Sequence, residues 1–169
     1  MLKLKALALC LLFLSPAALA EPTIYLVRHA EKQSDGSDDP ALTNTGHARA
    51  DWLAGYFKNK GLTAIFSTAY KRTQQTAAPT AEMTGLAVQG YDPRALEPFA
   101  KALKSMEGTI LVVGHSNTTP MLVNLLTGED HDELDERIYD HIYVLTAKGH
   151  KLVSSIHYSE PQTPLPRDD

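Results

Sequence analysis

Four residues able to bind or attack an anion, Arg28, His29, Arg72 and His115, stand where three apolar runs end. Arg28-His29 closes the run Thr23-Ile24-Tyr25-Leu26-Val27, Arg72 follows Ala64-Ile65-Phe66-Ser67, and His115 follows Thr109-Ile110-Leu111-Val112-Val113 and Gly114. Neither arginine nor histidine enters a core cheaply unless paired. At the C-terminal edge of a parallel sheet, however, such residues line the crevice where ligands bind. Arginine offers a planar fork of donors suited to phosphate, and imidazole offers a nucleophile or a general acid or base. Taken singly, Arg28 reads as an ion pair at a strand edge and each histidine as a hydrogen-bonded core residue. At one shared edge, two arginines and two histidines describe a site for a compact dianion, with phosphate the obvious candidate.

The elements that must hold these residues read as alternating strands and helices. Residues 23–27 form a continuous apolar run of the kind buried on both faces. Residues 31–40 are a loop, and Leu42-Thr43-Asn44-Thr45-Gly46 opens a helix marked by Ala48, Trp52, Leu53, Tyr56 and Phe57. A strand over 64–67 leads into a helix over 70–83, stopped by Gly85. A weak strand over 86–91 precedes a helix over 94–106, and a strong strand over 109–113 precedes a helix over 118–126 with Gly128 as its stop. Residues 142–145 and 152–156 flank Lys148-Gly149 as a hairpin. This order predicts an α/β fold of three layers: a mainly parallel sheet, helices on both faces, and one antiparallel edge strand. No internal repeat and no Gly-rich nucleotide loop is present.

The first twenty residues stand apart. Lys3 and Lys5 precede an apolar stretch over 6–14, and Ala18-Leu19-Ala20 precedes Glu21 as a small-x-small cleavage pattern. That is the layout of a secretory signal peptide, so the expected mature chain starts near Glu21 and is exported to the periplasm or the medium. The stretch is short for a membrane span, and no stable anchor is expected after cleavage. Residues 21–159 suit a single domain, and residues 160–169, with three prolines and two terminal aspartates, are an expected disordered tail. The single cysteine, Cys10, would leave with the leader, removing disulfide and thiol chemistry. Formal charge is −4 for the whole chain and two units more negative without Lys3 and Lys5. That balance excludes a general nucleic-acid binder, so an anionic ligand must be drawn by a local positive cluster.

Four ordered segments now carry a resemblance. Arg28-His29-Ala30, Leu42-Thr43-x-x-Gly46, Ser67-Thr68-x-x-x-Arg72-x-x-Gln75-Thr76-Ala77 and Val113-Gly114-His115-Ser116-Asn117 resemble, in order, the signature segments of the histidine phosphatase superfamily. Ala30 replaces the glycine of the family's first signature. The resemblance implies a phosphoglycerate mutase-like fold and a phosphatase acting on a small phosphorylated substrate without metal or cofactor. It also implies roles: His29 as the nucleophile that becomes phosphohistidine, Arg28 and Arg72 as clamps on the phosphoryl oxygens, and His115 as a further donor to them. Backbone N–H groups of the helix after Asn117 add to the anion site.

Protonating an ester's leaving oxygen requires a carboxylic acid at the rim. The resemblance points to the region after the second arginine's helix, hence to Asp92 at a strand end or Glu97 in mid-helix; Glu31, two residues after His29, is the third candidate. Each also reads as an ordinary surface carboxylate, and Glu31 as a group orienting His29 or Arg72. Residues 31–40 and the acidic segment 128–139 are expected to wall the pocket. His47, His131, His141, His150 and His157 lie outside the motifs and read as surface or supporting residues. Two alternatives stay open: a protein phosphohistidine phosphatase, which needs no carboxylic acid, and an inert phosphate- or phosphosugar-binding module on the same fold.

Overall fold

The computed structural model describes residues 22–162. The expected leader and residues 163–169 of the expected tail lie outside the described residues. Six strands and four helices alternate: β1 (Thr23–Arg28), α1 (Asn44–Phe57), β2 (Leu62–Ser67), α2 (Lys71–Thr84), β3 (Val88–Gly90), α3 (Leu96–Lys104), β4 (Thr109–Gly114), α4 (Thr118–Thr127), β5 (His141–Lys148) and β6 (Lys151–Tyr158). The sheet order is β3-β2-β4-β1-β5-β6. β3, β2, β4 and β1 pair in parallel, and β5 is antiparallel to both β1 and β6. The strand running against the rest is therefore β5, and its hairpin partner β6 forms the edge.

The apolar run of β1 is continuous because its alternate residues serve opposite faces of the sheet. Tyr25 and Val27 pack with Leu53 and Phe57 of α1 and Ala77 of α2. Ile24 and Leu26 pack with Ala100 and Leu103 of α3 and Leu122 and Leu126 of α4. Ile24, Leu26, Ile65 and Ile110 are fully buried, each contributing on the order of 1.5–3 kcal/mol. The helices end where left-handed residues are cheap: α2 at Gly85 (φ +71°) and α4 at Gly128 (φ +79°).

Local chemistry shortens one expected element. The helix expected over 94–106 begins only at Leu96, because Asp92 folds back and its Oδ1 accepts from the Arg94 backbone N–H at 2.9 Å. Glu97 thus lies in the first turn of α3, not in mid-helix.

Register delivers the site. Arg28 pairs with Gly114 across β1–β4, and Ser67 with Val113 across β2–β4. The three chains leave the sheet nearly abreast, so His29, Thr68 and His115 emerge at one edge. Gly114 has no room for a side chain: a Cβ there would lie 2.7 Å from Thr119 Oγ1 and 2.9 Å from the Tyr91 hydroxyl.

Candidate active site

His29 is seated by the sheet itself, donating its backbone N–H to the Gly114 carbonyl at 2.9 Å. Its Nδ1 lies 2.8 Å from the Ala30 carbonyl oxygen. A carbonyl only accepts, so Nδ1 carries the proton and Nε2 keeps a lone pair. Burial lowers the His29 pKa to about 3, with the charges of Arg28, His115 and Arg72 adding to it and the Ala30 bond opposing. The ring is therefore neutral at ordinary pH, with one nucleophilic nitrogen. It lines a cleft of about 510 Å³ together with Arg72, His115 and Asn117.

His115 holds the opposite tautomer. Its ring centroid is 5.5 Å from that of His29, and Arg72 Nη2 lies 3.5 Å from its Nδ1. A guanidinium only donates, so Nδ1 accepts and Nε2–H donates to Thr68 Oγ1 at 3.0 Å. The Thr68 hydroxyl donates onward to Thr73 Oγ1 at 2.8 Å, and Thr73 to the Tyr70 carbonyl at 2.8 Å. This buried relay fixes the ring's orientation. Burial, then Arg72 and Arg28, lower the His115 pKa to about 4, against the pull of Glu136.

Of the two arginines, Arg72 lines the cleft and Arg28 does not. Arg72 stands in the first turn of α2, its Cζ 4.4 Å from the centroid of the Tyr70 ring. Arg28 is buried: Nη1 donates to the carbonyls of Asp135 (3.1 Å) and Ile138 (2.8 Å), Nη2 donates to Glu136 Oε2 (2.6 Å), and Tyr139 packs on the guanidinium at 4.1 Å. The Nε atoms of Arg28 and Arg72 are buried without a partner among the described residues. Donors left so cost stability until an oxygen reaches them. Asn117 caps α4, its Oδ1 accepting from the Thr118 N–H at 2.8 Å, and so turns the N-terminus of a ten-residue helix toward the cleft.

None of the three carboxylates expected from the sequence lines the cleft. Glu31 is gripped by Arg49 of α1, with Nε at 3.0 Å and Nη2 at 2.6 Å. Asp92 is exposed, and bonds from Arg94 hold its carboxyl below the usual range. Glu97 borders a separate hollow beside Met121 and Leu125. The carboxylates that do line the cleft are Glu133 and Glu136, with Lys32, Tyr70 and Arg94 as further members absent from the sequence reading. Their one prior signal was the acidic segment 128–139, expected as a wall and found as one. A cavity of about 400 Å³ at the opposite end of the sheet, lined largely by aliphatic groups with Lys104, His150 and Lys151, holds no comparable pairing of nucleophile and arginine.

The flanking motif residues hold these groups in place. Thr43 Oγ1 caps α1 at Gly46 N–H (3.1 Å), and the Thr43 N–H donates to the Glu31 carbonyl at 2.9 Å. A Cβ on Gly46 would lie 2.2 Å from that same carbonyl oxygen. Thr76 Oγ1 accepts from the Ala30 N–H at 2.9 Å, and Gln75 Oε1 from the Leu42 N–H at 2.8 Å. Ala30 is fully buried, its methyl packed with Leu42 and Ala50.

Residues 24–97 match the sequence model of the histidine phosphatase superfamily (branch 1), a stretch bearing Arg28, His29 and Arg72 but ending before His115. A Yersinia pestis protein named "Probable phosphoglycerate mutase GpmB" is 31% identical over 128 residues, 69% of this chain and 59% of the relative. The chain thus spans about three-fifths of the length of the curated relatives it matches. Among solved structures, the alpha-ribazole phosphatase from Shigella flexneri superposes with a TM-score of 0.68 at 15% identity, covering 81% of this chain and 96% of that one. The protein histidine phosphatase SixA complexed with tungstate gives 0.64 at 17% identity, covering 81% and 95%. At these identities the likeness is one of fold, an α/β phosphoglycerate mutase-like architecture.

Proposed function

We propose that this chain, a member of the histidine phosphatase superfamily, is a metal-independent phosphatase that hydrolyses phosphomonoesters through a phosphohistidine on His29. One observation carries the reading: His29 keeps a neutral Nε2 lone pair beside Arg72 and His115. That is what in-line attack on a phosphoryl group requires. Nε2 attacks phosphorus as the ester P–O bond breaks, and charge gathers on the equatorial oxygens of a loose transition state. Arg28 and Arg72 neutralise that charge from fixed positions, work that Mg²⁺ does in other phosphoryl-transfer sites. His115 donates to the phosphoryl group once it takes a proton at Nδ1, which a bound dianion favours. Water then attacks the phosphohistidine and restores the imidazole.

The test is turnover of an aryl phosphate in the presence of a chelator, followed by mass spectrometry after acid-free quenching. Turnover by the wild type, its loss in His29→Ala, and a phosphoryl adduct on His29 support the reading. No turnover, or turnover undiminished in His29→Ala, overturns it.

A protein phosphohistidine phosphatase is the second reading. It is favoured by the positions of Glu31, Asp92 and Glu97, all outside the cleft, because an imidazole leaving group does not call for a carboxylic acid. Export belongs to the proposal as well, on the layout of residues 1–20. Sequencing the N-terminus of the protein from a secretion-competent host checks it: a start at Glu21 supports export, and a start at Met1 overturns it.

A further inference from the structure

We propose that Glu136 is the general acid of this site, parked on Arg28 and Ser116 as a carboxylate and released to its task when a substrate phosphoryl group displaces it. The inference rests on the phosphatase reading above and names the acid that reading lacks.

The geometry is that of an anion already in the anion site. Glu136 Oε2 accepts from Arg28 Nη2 at 2.6 Å, and Oε1 accepts from Ser116 Oγ at 2.6 Å. Two oxygens of one carboxylate thus hold donors that two phosphoryl oxygens would use. The partners differ in freedom: the Arg28 side chain is 1% exposed and that of Glu136 is 69% exposed. Arg28 stays put without Glu136, because Nη1 is anchored on the Asp135 and Ile138 carbonyls and Tyr139 packs on its guanidinium. Glu136 is the one member that can swing away.

Displacement also changes what the carboxyl is. While parked, the Ser116 hydroxyl and then Arg28 hold Glu136 below the ordinary carboxylate range. A phosphoryl dianion removes both partners and places negative charge beside it, so its proton affinity rises. The substrate monoanion can supply that proton on binding, since phosphomonoesters titrate near pH 6. The charges then balance. The His29 Nε2–P bond forms as the ester P–O bond breaks, and the departing alkoxide takes the Glu136 proton to leave as alcohol. The resulting carboxylate takes a proton from water as the water oxygen bonds to phosphorus and the N–P bond breaks. Phosphate leaves, and Glu136 gives up its proton as it returns to Arg28. Glu133 also lines the cleft, but is bonded to neither Arg28 nor Ser116 in the structure.

Leaving-group dependence tests this. Wild type and Glu136→Gln are compared on a nitrophenyl phosphate, whose phenolate departs without a proton, and on an alkyl phosphate, whose alkoxide does not. General acids contribute about 10²–10⁴-fold, so kcat/KM on the alkyl phosphate should fall by about 10²-fold or more. On the nitrophenyl ester kcat/KM, which reports only the first transfer and also correct folding, should stay within about threefold. Inorganic phosphate should inhibit Glu136→Gln more tightly than wild type, because the competing charge is gone. Equal losses on both substrates, no loss on the alkyl phosphate, or wild-type inactivity on alkyl phosphates would overturn the assignment. So would the selective alkyl loss appearing in Glu133→Gln instead. A wild type that forms no phosphohistidine fails the phosphatase reading itself; an adduct on His29 with leaving-group-independent Glu136→Gln rates fails only this inference.

Discussion

Taking the protein from pH 7 to pH 4.5 should strip stability from the fold through the two histidines of its cleft. His29 and His115 are held at about 3 and about 4, against 6.5 in an open chain. Both pKa values are depressed by folding, so the stability is fully present above pH 6.5 and is lost as pH falls. In that window the unfolded chain binds a proton at each ring and the native site does not. Each ring then costs about 1.4 kcal/mol per pH unit. At pH 4.5 this reaches about 2.5 kcal/mol per histidine, or about 5 kcal/mol for the pair, against a total of about 5–15 kcal/mol for an ordinary domain. The loss flattens below pH 4 for His115 and below pH 3 for His29. Urea unfolding of wild type and His29→Gln at the two pH values reads the effect. Glutamine does not titrate, so the variant should lose about 2.5 kcal/mol less between pH 7 and 4.5. Carboxylates common to both proteins cancel in that difference. Equal losses would mean that the native site accepts a proton at His29 freely, and the account of a permanently neutral His29 ring would be wrong.

Two further substitutions probe the frame around the site. Gly46→Ala puts a methyl 2.2 Å from the Glu31 carbonyl, and the start of α1 must shift; urea melts should show a loss of about 2–3 kcal/mol. Glu31→Gln leaves Arg49, only 2% exposed, without its countercharge, a loss of about 3–5 kcal/mol. Because Glu31 is outside the cleft, any fall in kcat per folded molecule should be the same for nitrophenyl and alkyl phosphates. A selective loss on the alkyl ester would return Glu31 to the list of acids.

The strand-end residues were legible because a strand end is a local event. An apolar run stops, and the next residue is Arg28 or Gly114; parallel pairing then aligns the ends, as Arg28 opposite Gly114. The conformational stops at Gly85 and Gly128 were legible for the same reason. The purpose of other motif residues was not. Gln75 and Thr76 look like helix surface, yet they accept from the backbones of Leu42 and Ala30, 33 and 46 residues away. Arg49 lies in an unremarkable polar stretch and turns out buried, bonded to Glu31 and Ser159. Asp92 lies outside the cleft's lining, and its partner is local: Arg94, two residues on, bonds both of its carboxylate oxygens.

Glu136 escaped detection for the opposite reason. It belongs to a segment with no periodicity, and it is brought to the cleft by bonds spanning 107 to 110 residues, from Arg28 to Asp135, Glu136 and Ile138. No local pattern encodes such a contact. It also dissolves the choice between two readings of Arg28, as a strand-edge ion pair or as a ligand for phosphate. A guanidinium fixed by two carbonyls, with its remaining Nη2 on an exposed carboxylate, can be an ion pair in the free site and a phosphate clamp in the occupied one. On the proposed cycle the two roles alternate, and their exchange moves the proton that an ester's leaving group needs.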